Sequence, residues 1–129
     1  MSNETARVEQ NTDHNRFEIW LGDERVGLLD YERRIGANGN ELHFTHTEVD
    51  PAHQGKNLAS ILTTGAFDAV RAGVFGAVKV WPVCSYTVMY MQRHPETHDL
   101  LAGPLEDAVA ACRLPNVNKF NQQFGKQEG

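Results

Sequence analysis

The chain reads as a mixed α/β (α+β) fold, a small sheet carrying helices in the order β-β-β-α-β-α. Three stretches predict this. Phe17-Glu-Ile-Trp-Leu21 alternates apolar and polar residues and runs into Gly22-Asp23, the two-residue turn of a hairpin. Asn57–Ala72 places Leu58, Ile61, Leu62, Ala66, Ala69 and Val70 on one stripe at helical spacing. Ala77-Val-Lys-Val-Trp-Pro-Val83 then returns as a buried-looking strand ended by Pro82.

The elements follow in order. Met1–Asn15 is polar and without periodicity, which predicts a loose arm. After the first strand, Arg25–Arg33 completes the hairpin. Gly36–Asn40 is a loop with Asn38-Gly39 as its turn signal, and Glu41–Val49 is the third strand, Leu42 and Phe44 on one side. Asp50-Pro51 turns the chain into the loop Gln54-Gly55-Lys56-Asn57. In the helix that follows, Ser60, Thr63, Thr64, Asp68 and Arg71 face away from the apolar stripe, and Gly65 costs roughly 1 kcal/mol against Ala unless close packing requires it. Because that helix joins the third strand to the fourth, those two strands are expected to be parallel, and the first three an antiparallel meander. Ser85 is the expected N-cap of a helix Tyr86–Arg93, which Pro95 halts. Three regions result: an arm over 1–15, a compact domain over 16–98, and an extension over 99–129. The extension holds a short helix Pro104–Cys112, with Leu105, Val109 and Cys112 on one face, and a loosely held tail Asn116–Gly129.

Composition narrows the function. The 129 residues are 40% apolar and 22% charged, ordinary for one globular domain, and the net charge is −5 without any Lys/Arg stripe. That argues against nucleic-acid and anionic-membrane partners. No apolar run approaches the roughly 18–20 residues of a membrane span, and the polar start does not read as a signal peptide. Cys84 and Cys112 make neither a disulfide framework nor a zinc spacing, so a cytoplasmic setting is expected. His43 and His46 lie three apart on a strand, which predicts opposite faces and no shared metal ion.

The stretch His46–Ser60 carries the chemistry. A strand that passes through a glycine-containing loop into a helix aims several free N–H groups at one point, with the positive end of the helix dipole behind them. That geometry binds an anion, a phosphate above all. Its bland alternative is a plain strand-to-helix connection capped by Asn57.

Around this stretch, His46-Thr-Glu-Val49 precedes the loop, Gln54-Gly-Lys-Asn-Leu-Ala59 forms it, and Cys84, Tyr90 and His94-Pro-Glu96 follow the next strand. Together these resemble the GNAT superfamily of acetyl-CoA-dependent N-acetyltransferases, most closely its short, atypical single-domain branch, over roughly Phe17 to Glu96. The superfamily loop reads Arg/Gln-x-x-Gly-x-Gly/Ala. Here Asn57 replaces its middle glycine, and Asn is the side chain that best tolerates a left-handed backbone.

The resemblance implies an enzyme that moves acetyl from acetyl-CoA to a primary amine on a small molecule, a lysine or a peptide N-terminus. It implies that backbone N–H groups of Gln54, Gly55, Lys56, Asn57, Leu58 and Ala59 hold the pyrophosphate of coenzyme A. Thr47 and Val49, on one face, would pair with the pantetheine arm as an added strand does. Lys56 and Arg93 are candidate phosphate contacts. His46 and Glu48 share a face and could take a proton from the amine, or be a satisfied polar pair. Cys84, ahead of a helix start that favours thiolate, would carry the acetyl group, line the site during direct attack, or be a small core residue. Tyr90 would protonate the departing thiolate, or pack in the core with Tyr86. The alternatives to an enzyme are a non-catalytic coenzyme A-binding module of the same fold and a protein-interaction domain. The chain would act as a monomer or a homodimer.

Overall fold

A computed structural model describes residues 5–36 and 39–112. Five strands form one sheet: β1 Ala6–Asn11, β2 Arg16–Leu21, β3 Glu24–Gly36, β4 Gly39–Val49 and β5 Lys79–Pro82. They lie side by side in chain order, β1 to β4 antiparallel and β5 parallel to β4. Helix α1 Leu58–Arg71 joins β4 to β5, and α2 Ser85–Arg93 and α3 Leu105–Cys112 follow. Short 3-10 turns fill Pro51–His53 and Pro95–Leu100. Among the described residues no helix is long and apolar enough to cross a membrane. Residues 1–4, the turn residue Asn38 and the expected tail Asn116–Gly129 lie outside the described residues.

The arm expected over 1–15 is corrected at Ala6–Asn11, which pairs with β2 residue by residue from Ala6↔Leu21 to Asn11↔Arg16. Val8 is the sole strongly apolar residue there, too little for a period, and it turns inward against α1. This contact explains Gly65. A Cβ on Gly65 would meet Val8 side-chain carbons at 2.9–3.0 Å, including the Cβ that is fixed to the strand. Gly65→Ala is therefore expected to destabilise the fold by about 1–3 kcal/mol, despite Ala's better helix propensity. Val8→Ala in the same chain removes the two Cγ contacts and keeps the Cβ contact, so it should recover part of the loss in a urea melt; no recovery would mean that β1 does not pack on Gly65.

The helices cover one face of the sheet. Leu58, Leu62, Ala66, Phe67 and Val70 of α1 meet Ile19, Leu29, Tyr31, Leu42, Phe44 and Val80 in one core. The expected helix stripe is rotated slightly: Thr63 is fully buried, its hydroxyl returned to the Ala59 carbonyl (2.8 Å), while Ile61 is 37% exposed.

The other face carries polar side chains around Glu18. This carboxylate, with 8% of its side chain exposed, accepts hydrogen bonds from Asn11 (2.9 Å), Arg16 (2.8 Å) and the Trp20 indole (3.3 Å). Burial alone would raise its pKa, but those partners outweigh it and hold Glu18 below the usual carboxylate range. A depressed folded-state pKa contributes stability above the unfolded value of about 4.3, and that stability is lost as pH falls through the lower folded value. Glu18→Gln should accordingly cost about 1–3 kcal/mol near neutral pH and remove part of the acid-side slope below about pH 4. Equal slopes for the two proteins in acid melts would show that Glu18 is not a source of it.

The boundary at 98 and 99 is not a break in the fold. Leu100, Leu101 and Leu105 pack against the core, the Ala102 N–H donates to the Val80 carbonyl (2.9 Å), and Arg71 grips the Asp99 carboxylate at 2.8 and 3.1 Å. The face expected of α3 is the one turned inward, with Ala108 at its centre.

Candidate functional site

The site begins where β4 and β5 part. Their register ends at Phe44↔Pro82, and the Phe44 carbonyl then accepts both the Val83 and the Cys84 N–H groups, at 2.9 and 3.0 Å. Two donors converging on one carbonyl turn β5 away. Among the described residues, Thr45–Val49 keep β3 on one side and have no strand on the other.

A bulge sets which side chains face which way. Tyr31 pairs with Phe44 and Asp30 with His46, so Thr45 is the extra residue of β4. The alternation flips there. Thr47 and Val49 turn to the helix-covered face with Leu42 and Phe44, across from buried Leu29 and Gly27, while His46 and Glu48 take the opposite face, across from Asp30 and Leu28. The same bulge corrects the expectation that His43 and His46 point apart: both lie on the open face. Each imidazole is engaged by a glutamate, His43 with Glu41 and His46 with Glu48, both at 2.9 Å. No group of three His, Cys, Asp or Glu side chains placed to hold a metal ion occurs among the described residues.

Backbone direction follows from the ladder. The Asp50 N–H donates to the Val26 carbonyl at 2.8 Å, which makes Asp50 and Val26 a hydrogen-bonded pair. Such pairs alternate, so Glu48 and His46 also bond to β3, and Thr47 and Val49 direct their backbone groups to the vacated side. The Val49 carbonyl is taken by the Gln54 side-chain amide (3.1 Å), which ties the strand to the loop.

The loop turns the chain from β4 into α1 through two left-handed residues. Gly55 has φ +87°, and Asn57 is left-handed at φ 63°, ψ 20°. The Asn57 side chain makes no capping bond, and the first helical bond runs from the Ile61 N–H to the Asn57 carbonyl (3.2 Å). The N–H groups of Leu58, Ala59 and Ser60 therefore have no partner within the helix. They border a pocket of about 280 Å³ lined by Val49, His53, Gln54, Gly55, Asn57, Leu58, Ala59, Ser60 and Tyr86. No carboxylate lines it. Unpaired donors at a helix start, with no competing negative charge, fit a pyrophosphate. Lys56 reaches not into the pocket but to His53, its ammonium donating to Nδ1 at 3.1 Å.

Ser60, His53 and Tyr86 are pocket residues that the sequence reading did not select. The helical period predicts Ser60 on the outward face of the helix, and the spacing of Tyr86 from Tyr90 allows it to be a core aromatic. Burial pushes the Tyr86 phenol up and the nearby Ser60 hydroxyl draws it down, with a net rise that keeps it a neutral donor.

Cys84 is itself the N-cap of α2, which starts at Ser85 and not after it. Its sulfur lies 3.2 Å from the Thr47 hydroxyl across the splay and 3.2 Å from the Thr87 hydroxyl, which in turn donates to the Cys84 carbonyl at 3.0 Å. Thr47 and Cys84 are thus brought together from residues far apart in sequence. Tyr90 sits deeper, 6% exposed in the seam between α1 and α2. Its ring stacks on Phe67 and His94, with centroids 5.5 and 4.0 Å apart, and its hydroxyl meets that of Thr64 at 2.7 Å. Arg93 is exposed at the end of α2 and does not line the pocket. His46 and Glu48, 55% and 59% exposed, stand on the open face of the sheet beside the splay.

A family model described as GCN5-related N-acetyl-transferase matches residues 16–100. No curated protein matches the chain.

Proposed function

The chain belongs to the GCN5-related N-acetyl-transferase family, and on that premise we propose that it transfers an acetyl group from acetyl-CoA to a primary amine by direct attack within a ternary complex. The observation that carries this reading is the union of two features on one side of β4: N–H groups at the start of α1 and a strand segment leading from them to Cys84, both without a backbone partner among the described residues. The first matches a pyrophosphate and the second an extended pantetheine arm, in the order in which coenzyme A presents them.

Each residue then has a task. Leu58, Ala59 and Ser60 N–H groups hold the pyrophosphate, with Tyr86 closing the pocket. Thr47 and Val49 N–H groups orient the arm, and placing the acetyl carbon near an amine supplies much of the rate. The acceptor approaches from the open face, a small-molecule or peptide amine, and the His46–Glu48 pair there takes the ammonium proton. Tyr90 returns a proton to the departing thiolate. Cys84 lines the acetyl end without carrying it.

The test follows free thiol release from acetyl-CoA with a panel of amines, alongside calorimetric binding of coenzyme A. Tyr90→Phe should lower kcat by about 10²–10⁴ while binding holds, and Cys84→Ala should retain turnover within about tenfold, 1.4 kcal/mol in barrier. Loss of all turnover in Cys84→Ala would put the acetyl group on sulfur. Tight coenzyme A binding with no amine consumed would favour a non-catalytic binding module, and no binding at all would remove both readings.

A further inference from the structure

The chain has two cysteines, 28 positions apart, and the fold brings them to one spot. Cys112, the last residue of α3, donates its Sγ–H to the Val83 carbonyl at 2.9 Å. That carbonyl belongs to the peptide bond whose nitrogen is Cys84's. Covalent geometry leaves the two Cα atoms no more than about 8.5 Å apart, against the roughly 4.4–6.8 Å that a disulfide spans. At that upper bound, closing the span takes a backbone shift of up to about 2 Å at Cys112, the last residue of α3. Helix α3 is held against α2 by buried Ala108 and behind it by the Ala102–Val80 hydrogen bond, so the approach is built into the fold. Both cysteines are half-buried residues.

We propose that Cys84 and Cys112 form an intramolecular disulfide when the protein meets hydrogen peroxide, a modification that withdraws the Cys84 sulfur from the β4–β5 splay. Cys84 reacts first. Its sulfur stands at the start of α2, with the Thr47 hydroxyl 3.2 Å away and free to donate to it. Cys112 is held as a thiol, its pKa pushed up by burial and further by the neighbouring Cys84. The Cys84 sulfur attacks one peroxide oxygen, the O–O bond breaks, and the second oxygen leaves as water with the thiol proton, giving a sulfenic acid. The Cys112 sulfur then attacks the Cys84 sulfur. An S–S bond forms, the S–O bond breaks, and the hydroxyl leaves as water with the Cys112 proton. In sum two thiols and one peroxide give one disulfide and two waters. The bond replaces the Thr47–Cys84 contact, so the oxidised protein has its acetyl-end wall rearranged.

The reaction is read without any assay of transfer. The reduced full-length protein is titrated with hydrogen peroxide, its remaining thiols are alkylated, and monomer is mapped by mass spectrometry. The expected result is loss of both alkylation sites and a linked peptide pair containing Cys84 and Cys112, reversed by dithiothreitol. Cys112→Ser should instead leave a sulfenic acid on Cys84 that dimedone traps. Two alkylatable cysteines after peroxide, or a Cys84–Cys84 link between two chains, would overturn the proposal. These outcomes stand whether or not the protein transfers acetyl groups.

Discussion

Ala59→Asp is expected to weaken coenzyme A binding by about 10²–10³-fold while leaving the fold as stable as before. Ala59 is the second residue of α1, beside Leu58 and Ser60, whose N–H groups also lack helical partners. A carboxylate there accepts those donors and meets the positive end of the helix dipole, worth about 0.3–1 kcal/mol and offsetting the lower helix propensity of Asp. The same carboxylate occupies the anion site and opposes the pyrophosphate. Two like charges about 4 Å apart at an effective dielectric near 20 repel by about 4 kcal/mol, enough for a loss of 10²–10³ in affinity. Weaker binding at unchanged stability is the signature, since a merely damaged fold lowers both. Calorimetry with coenzyme A and a thermal melt read the two quantities, and Ala59→Asn controls for size. Unchanged affinity in Ala59→Asp would place the pyrophosphate elsewhere.

What the sequence made legible follows the length of the signal. Helix α1 holds its period over four turns, and the turn at Gly22-Asp23 leaves few choices for β2 and β3, so the meander and the parallel return of β5 were readable. Asn57 was readable too, because left-handed backbone is a property of that residue and the loop around it. Strand β1 was not. Its one strong apolar residue, Val8, matters through Gly65, and neither position explains the other until they are seen in contact. The Thr45 bulge left no mark either. Thr is at home in regular strand, and the extra residue exists only relative to Asp30 and Tyr31 of the partner. Its effect on the candidate site is large. It turns Thr47 towards Cys84 and puts His43 on the face of His46. Ser60 and Tyr86 share a pocket only because α1 and α2 pack side by side, a relation that no local pattern encodes.

That bulge and the ladder beyond it give a second large effect, in which neighbouring prolines behave differently. The Thr47 N–H points to the vacated side of β4, so a proline at 47 removes no bond to β3, and the strand conformation of His46 is what a residue before proline prefers. Thr47→Pro should fold, and it should bind coenzyme A about 10–100-fold more weakly, because a buried group of the pantetheine arm loses its donor at a cost of about 1–3 kcal/mol. Thr47→Val keeps that N–H and loses the hydroxyl contact to Cys84 alone, so its affinity should stay within about threefold, or 0.7 kcal/mol. Glu48 is the opposite case. Its N–H belongs to the pair with Leu28, so Glu48→Pro deletes a ladder bond and drives its ring into a paired strand. The cost of about 3 kcal/mol or more is a large share of the roughly 5–15 kcal/mol that holds a domain together. Urea melts should therefore separate the two prolines sharply, with Glu48→Pro unfolding at much lower denaturant. If Thr47→Pro unfolded as early, the Thr47 N–H would have to face β3, and the vacated edge could not be the one that holds the arm.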